Sequence, residues 1–377
     1  MRTLIVRTIT GLVMMFGFIL IMFSNHAVIS AFVVLLQIMV YREMTSLRYS
    51  EAKEKDIPFF RSLNWFFLFS TMYWVYGKQL WLFFRTRVPQ QWFDAAVHHH
   101  MFTCFVLYIA GFLLFVSSLR KDTVKYQFGQ LTWMLMTLLS VVVQSSVISV
   151  NIYQGLFWFM LPHSMIICND IMAYFVGMSI GRKFIDKPLT KLSPNKTWEG
   201  FFGAALITIV LGLAGARLLG SFDMFRCTAA QLAVSDSCPT SPLFVPVPLA
   251  TLLPSGLAEL LPSILKELNF MPVQGHAIVI SLFASIIAPF GGFFASAMKR
   301  AFQKKDFDQL IPGHGGVTDR MDCQFLIGLF IYVYYATFIK PSVADVDSIL
   351  MAISALPIPD QKTILVSLQS ALGNLAN

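Results

Sequence analysis

The chain has 377 residues, of which 56% are hydrophobic and 13% charged, about half the charged share usual in soluble domains. With 36 Phe and 19 Met, it reads as an all-α, polytopic integral membrane protein in which no stretch forms a soluble domain able to stand alone. The net charge of +8 suits an anionic membrane leaflet and phosphorylated substrates; the cations are dispersed among apolar runs, which argues against nucleic acid as a partner.

In chain order, Arg2 and Arg7 precede an apolar run over residues 8–23. No small-residue cleavage site follows and another apolar run comes at once, so a retained first span is expected rather than a signal peptide. Residues 27–41 form the second span and 42–61 a mixed-charge loop. The third, 63–76, carries Trp65, Tyr73 and Trp74, aromatics suited to a membrane interface. In the polar connector 78–100, His98, His99 and His100 would diverge on a helix, which argues against a metal site there. Residues 102–119 and 128–148 are the fourth and fifth spans, separated by Arg120, Lys121 and Lys125. The sixth, 153–180, is long or broken, with Pro162 a source of a kink because it lacks an N–H donor. Residues 200–220 are the seventh span. The proline-rich connector 221–275 follows, with a short interfacial helix expected at 257–268. Residues 277–298 and 324–339 complete a count of about nine, and the tail is weakly amphipathic over 361–372. No internal repeat is visible. The expected organisation is N-terminal membrane helices in 1–150, a catalytic membrane region in 151–340 and a tail in 341–377.

Three polar blocks interrupt this pattern. The largest, SAMKRAFQKKDFDQLIPGHGGVTDRMD at 296–322, interleaves Lys299, Arg300, Lys304, Lys305 and Arg320 with Asp306, Asp308, Asp319 and Asp322. Its Pro312-Gly313-His314-Gly315-Gly316 is turn chemistry, and successive N–H groups in such a turn can form an anion-binding nest. Asp319 and Asp322 are three apart and share a helix face. Hard oxygen ligands beside phosphate-binding groups suit a Mg²⁺–triphosphate. A second block, Asn169-Asp170-Ile171-Met172-Ala173-Tyr174, places a carboxylate inside a span, which by default marks a functional site. The third, Ser193-Pro194-Asn195-Lys196-Thr197-Trp198-Glu199-Gly200, is a turn leading into a helix, whose N-terminus attracts anions.

The pattern Ser-x-x-Lys-Arg-x4-Lys-Asp followed by Pro-Gly-His-Gly-Gly-x-x-Asp-Arg-x-Asp resembles the signature of the phosphatidate cytidylyltransferase (CDP-diacylglycerol synthase) family, with every fixed position present. The other two blocks and the Gly291–Ser296 approach resemble its eukaryotic branch. The resemblance implies that CTP and phosphatidic acid are converted to CDP-diacylglycerol and pyrophosphate, with Mg²⁺ and room for a second metal ion. Phosphatidic acid is a phosphomonoester with a second pKa near ~6, so its oxygen is already a nucleophile. His314 then serves as a phosphate donor or turn residue rather than a base. What must be overcome is repulsion between anionic substrates, which metal ions and fixed cations address. The expected metal ligands are Asp319 and Asp322, with Asp170 as a third. Lys299, Arg300, Lys305, Arg320 and Lys196 are expected to hold phosphates. Ser296, Ser193 and Thr197 are candidate hydroxyl donors; Asn195, Gly313, Gly315 and Gly316 are expected at the substrate. Glu199 is expected to orient Lys196 or a metal-bound water. Bacterial members carry Gly-Asp where this chain has Gly291-Gly292, which gives Asp170 more weight. The alternatives are a CTP-dependent kinase of a lipid alcohol and a transporter of an anionic solute built on broken helices. Membrane lipids surround the chain, and a homodimer is compatible with it.

With nine spans, one side of the membrane receives 20 of the 28 Lys and Arg. The positive-inside rule makes that side cytosolic, so the catalytic blocks face the cytosol, and under the eukaryotic resemblance the membrane is the endoplasmic reticulum. Cys227 and Cys238 then fall in a lumenal loop, where oxidising conditions let a disulfide persist. A bond between them is expected.

Overall fold

In hydrocarbon the backbone must satisfy its own polar groups, and the apolar runs accordingly fold as long helices. The computed structural model describes residues 2–190, 196–233, 235, 237–252, 256, 259, 262–313, 315–340, 349–350, 353–354 and 356–375. Its long helices are α1 (Arg2–Met22), α2 (His26–Ser46), α3 (Phe60–Phe83), α4 (His100–Ser117), α5 (Val124–Gln154), α6 (Phe157–Ile180), α7 (Trp198–Gly220), α8 (Pro272–Ala301) and α9 (Thr318–Ile339). Each predicted span is thus a helix. Among the described residues seven of them, α2 and α4–α9, are long and apolar enough to cross a membrane. In α1 the stretch Ile9–Met22 is an apolar helix, and α3 is diluted by polar residues such as Asn64, Ser70 and Lys78. The protein is therefore a helical multi-pass membrane protein, with seven such helices among its described residues where about nine spans were expected.

Helix ends overrun the apolar runs because hydrogen bonding continues past the last greasy residue. Thus α2 extends to Ser46 and α9 begins at Thr318, bringing Glu43 and both signature aspartates onto helices. The sixth expected span is divided: Gly155 turns the chain at φ +134°, leaving 153–154 in α5. Helix α6 then continues through Pro162. Three π-turns, Leu138–Val143 in α5, Phe283–Ile287 in α8 and Tyr335–Ile339 in α9, widen their helices locally.

The core joins α2, α3, α5 and α6 through Val33, Leu68, Met134, Val142 and Phe159, and reaches Phe307, Val317 and Phe325 around the signature. The signature loop is therefore anchored by its own apolar residues. Helices α6 and α7 approach closely over small residues, the device of membrane helix pairs. A Cβ on Gly200 would stand 2.9 Å from the Ala173 carbonyl oxygen and 3.2 Å from the Gly177 Cα.

The segments assigned to one side meet. Arg120 pairs with Asp56 at 3.3 Å, Thr10 donates to the Pro312 carbonyl at 3.1 Å, and Glu43 reaches Val317. At the other end Gly155 packs beside the backbone of Arg226 and Cys227. There the connector forms short helices and a two-stranded ribbon, Val247–Pro248 against Asn269–Phe270. Of the helix expected at 257–268, much lies outside the described residues; Ser263–Lys266 is one helical turn. The expected disulfide is present: Cys227 and Cys238 are bonded, with Cα atoms 5.8 Å apart. The chain divides into units Met1–Tyr332 and Val333–Asn377. The second holds the end of α9 and a tail helix, α10 (Ile358–Leu375).

Candidate active site

The signature is a joint between α8 and α9. Helix α8 delivers Ser296, Lys299 and Arg300 at its C-terminal end, and α9 opens with Asp319, Arg320 and Asp322. Between them Ile311 donates its N–H to the Gly315 carbonyl at 3.0 Å, closing a tight hairpin. Gly313 and Gly315 have φ of +79° and +81°, a conformation that side chains disfavour. His314 lies outside the described residues, as do Ser193 and Asn195.

A helix start leaves N–H groups without intrahelical partners, and negative charge is favoured there. Here carboxylates from within the protein take those groups. Gly316 donates to Asp319 Oδ2 at 3.1 Å, as does Phe307 at 3.2 Å. The Val317 N–H reaches Glu43 Oε1 at 2.8 Å; the Thr318 N–H and hydroxyl reach Glu43 Oε2 at 2.8 and 2.7 Å. The expected nest is thus partly filled: the Gly316 amide serves Asp319 rather than a phosphate. Glycine is required at 316 because a Cβ would stand 2.6 Å from Glu43 Oε2 and 3.0 Å from the Asp308 nitrogen. Sequence reasoning missed Glu43, which beside Arg42 reads as the start of a solvated loop. The one available signal is that the helix period of α2 can be continued to Ser46.

The two signature carboxylates have different surroundings. Asp319 Oδ1 accepts from the Lys299 ammonium at 2.6 Å, and its side chain is only 5% exposed. With Oδ2 holding two amides, both oxygens are engaged, and Lys299 is a counter-ion to Asp319. Asp322 is half-buried, and its carboxylate is hydrogen-bonded to the adjacent Cys323: Oδ1 accepts from its N–H at 2.7 Å, and the Cys323 thiol donates to the same carboxylate. Asp170, exposed on α6, lies within electrostatic reach of Asp322; Lys196 acts on both and Arg320 on Asp170. Among the described residues neither Asp170 nor Asp322 has a salt-bridge partner, and no group of three or more His, Cys, Asp or Glu could hold a metal ion. Two carboxylates with free oxygens fit Mg²⁺, which usually takes one or two and fills its octahedron with water and substrate phosphate. The neighbour in the second block, Asn169, is buried and accepts from the Thr208 hydroxyl at 3.5 Å. The block therefore divides its work, Asn169 holding α7 and Asp170 facing the cluster. Position 292 also faces it: a Cβ there would stand 3.5 Å from Asp322 Oδ2.

Several other expected residues have local structural work. Thr197 caps α7, accepting from the Gly200 N–H at 3.2 Å. The Ser296 hydroxyl donates to the Gly292 carbonyl at 2.8 Å. Glu199 does not orient Lys196: its carboxylate accepts from the N–H groups of Arg182, Phe184 and Ile185 at 3.1, 3.0 and 2.8 Å, fixing that turn. The Lys196 ammonium instead lies 4.7 Å over the Phe293 ring, a cation–π contact. Arg300, in the last turn of α8, and Lys305, on the loop after it, are exposed. Behind Asp322 opens a cavity of about 520 Å³, walled by Val40, Met44, Trp133, Phe290, Phe294 and Phe325. Its lining is largely apolar, and Thr318 and Asp322 stand at it.

The family model described as the cytidylyltransferase family matches residues 5–338. The chain is 43% identical over 378 residues to phosphatidate cytidylyltransferase 1 of Arabidopsis thaliana, covering 98% of this chain and 88% of that protein. It is 39% identical over 353 residues to phosphatidate cytidylyltransferase of Saccharomyces cerevisiae, covering 92% and 76%. It is 38% identical over 338 residues to phosphatidate cytidylyltransferase 1 of Homo sapiens, covering 89% and 72%.

Proposed function

The chain belongs to the cytidylyltransferase family, whose members are CTP-dependent nucleotidyltransferases, and on that premise we propose that it converts CTP and phosphatidic acid to CDP-diacylglycerol and pyrophosphate. The observation that carries the reading is the electrostatic proximity of Asp170, Lys196 and the α9 pair Arg320 and Asp322, brought from three segments, with Asp322 at an apolar cavity between helices. A phosphorylated diacylglycerol needs that combination, charge for its headgroup next to apolar walls for its chains.

A phosphatidate oxygen attacks the α-phosphorus of CTP; that O–P bond forms as the bond to the β-phosphate oxygen breaks, and pyrophosphate leaves with the electron pair. The nucleophile is already anionic, so no protein base is required. Asp170 and Asp322 would hold Mg²⁺, which supplies charge neutralisation and alignment on the phosphate oxygens. Lys196 and Arg320 offset the negative charge of the two substrates. Arg300 at the end of α8 and Lys305 on the loop after it, both exposed, take the outer phosphates. Asp319 passes from ligand to scaffold in this account, because Lys299 and two amides occupy its oxygens. The cation-rich end faces the cytosol, where CTP is, and the disulfide-bearing end faces the lumen of the endoplasmic reticulum.

Labelled CTP tests the reading. With purified protein, Mg²⁺ and phosphatidic acid, α-phosphate label should enter the lipid and γ-phosphate label should leave as pyrophosphate. Label from the γ position in the lipid would indicate a kinase, and intact CTP a transporter or binding protein; either outcome overturns the proposal.

A further inference from the structure

We infer that Glu43 is a positioning residue for the transfer reaction, locking the first turn of α9, and so Asp322, against α2 at the mouth of the apolar cavity. This rests on the function proposed above. Glu43 is 3% exposed, and among the described residues it has no cationic salt-bridge partner. A buried carboxylate is unfavourable unless its lone pairs are used, and here three donors from Val317 and Thr318 use them. Helix starts are ordinarily capped by a local Ser, Thr, Asp or Asn, which fixes the helix only to its own approach. A cap 274 residues away in sequence fixes one helix relative to another. Val40 and Met44, flanking Glu43 on α2, line the cavity together with Thr318 and Asp322. The contact therefore sets the distance between the wall that would hold the lipid and the carboxylate that would meet its phosphate. Gly316 leaves the room for it.

The test uses purified full-length protein with CTP, phosphatidic acid and Mg²⁺. Glu43→Gln keeps the size and one acceptor oxygen but sets an amide nitrogen against a backbone N–H; Glu43→Ala removes every acceptor. The expected result is a kcat lower by about tenfold for Gln, the rate equivalent of one lost hydrogen bond to a charged group, and lower still for Ala. The Mg²⁺ concentration for half-maximal rate should rise, and Mn²⁺ titrated with CTP in the absence of lipid, followed by electron paramagnetic resonance, should bind more weakly. Should both variants misfold, Thr318→Ala, which deletes only the hydroxyl donor, should give the same shifts at smaller size. Wild-type kcat and metal dependence per folded molecule, in the Glu43 variants or in Thr318→Ala if those misfold, would reduce Glu43 to a structural cap and overturn the inference. An active wild type beside unmoved variants overturns this inference alone, whereas a wild type making no CDP-diacylglycerol overturns the parent reading.

Discussion

Replacing Asp319 by Asn and, separately, Asp322 by Asn should separate scaffold from metal site. Asp319→Asn removes the counter-charge of Lys299, 2.6 Å away, and leaves one of the two oxygens as an amide that cannot accept. Breaking a buried ion pair by removing one partner costs about 3–5 kcal/mol. The Lys299 side chain keeps 15% exposure and regains some hydration, so the lower end, about 3 kcal/mol, applies. At about 2–4 °C per kcal/mol the thermal midpoint in detergent should fall by roughly 6–12 °C. Asp322→Asn breaks no ion pair among the described residues and weakens only the contacts with the amide and thiol of the adjacent Cys323. Its midpoint should stay within a few degrees while turnover disappears. Both are read by thermal unfolding and by CDP-diacylglycerol formation across a Mg²⁺ series. An unmoved midpoint for Asp319→Asn, or near-normal activity of Asp322→Asn at low Mg²⁺, would refute the division of labour.

Gly316→Ala drives a methyl to within 2.6 Å of Glu43 Oε2 and should destabilise by about 1–3 kcal/mol, the range for overpacking, as measured by thermal unfolding against wild type. Reducing Cys227–Cys238 opens a loop of 11 residues; it should cost up to about 3 kcal/mol of stability and leave turnover nearly intact, because the bond lies at the opposite end from Asp322. Cysteines introduced at Lys53 and Lys187 should react with an impermeant thiol reagent only after endoplasmic-reticulum vesicles sealed with the cytosolic face inward are permeabilised; labelling while they remain sealed would contradict the sidedness. His314→Gln should lose only part of its activity, and a loss approaching ~10⁴-fold, the upper end for acid–base catalysis, would contradict the baseless mechanism.

Much of the architecture was legible because membrane helices announce themselves by length and apolarity, and the disulfide followed from the sidedness of the loop that carries it. Boundaries were less legible: Glu43 and the start of α9 lie in polar sequence that becomes helical only through hydrogen bonds supplied elsewhere. The site was legible as a set of residue types and not as partnerships. Nothing in the spacing of Asp319 and Asp322 says that one faces Lys299 and the other faces the cluster containing Asp170, since i and i+3 share a face yet meet different neighbours. Glu199 and Thr197 illustrate the same limit. Their spacing suited a ligand set, and their hydrogen bonds serve the turn at 182–185 and the start of α7. Gly316 looked like a donor to phosphate, whereas its amide and its missing side chain are both used by carboxylates of the protein.

The most direct test is the yield of pyrophosphate and CDP-diacylglycerol by wild type, Asp170→Asn and Asp322→Asn, each reconstituted with phosphatidic acid, CTP and Mg²⁺. The account predicts one pyrophosphate per CDP-diacylglycerol from wild type and neither product from the two variants, both still folded. Full turnover by either variant would contradict the placement of the reaction at the Asp170–Asp322 cluster.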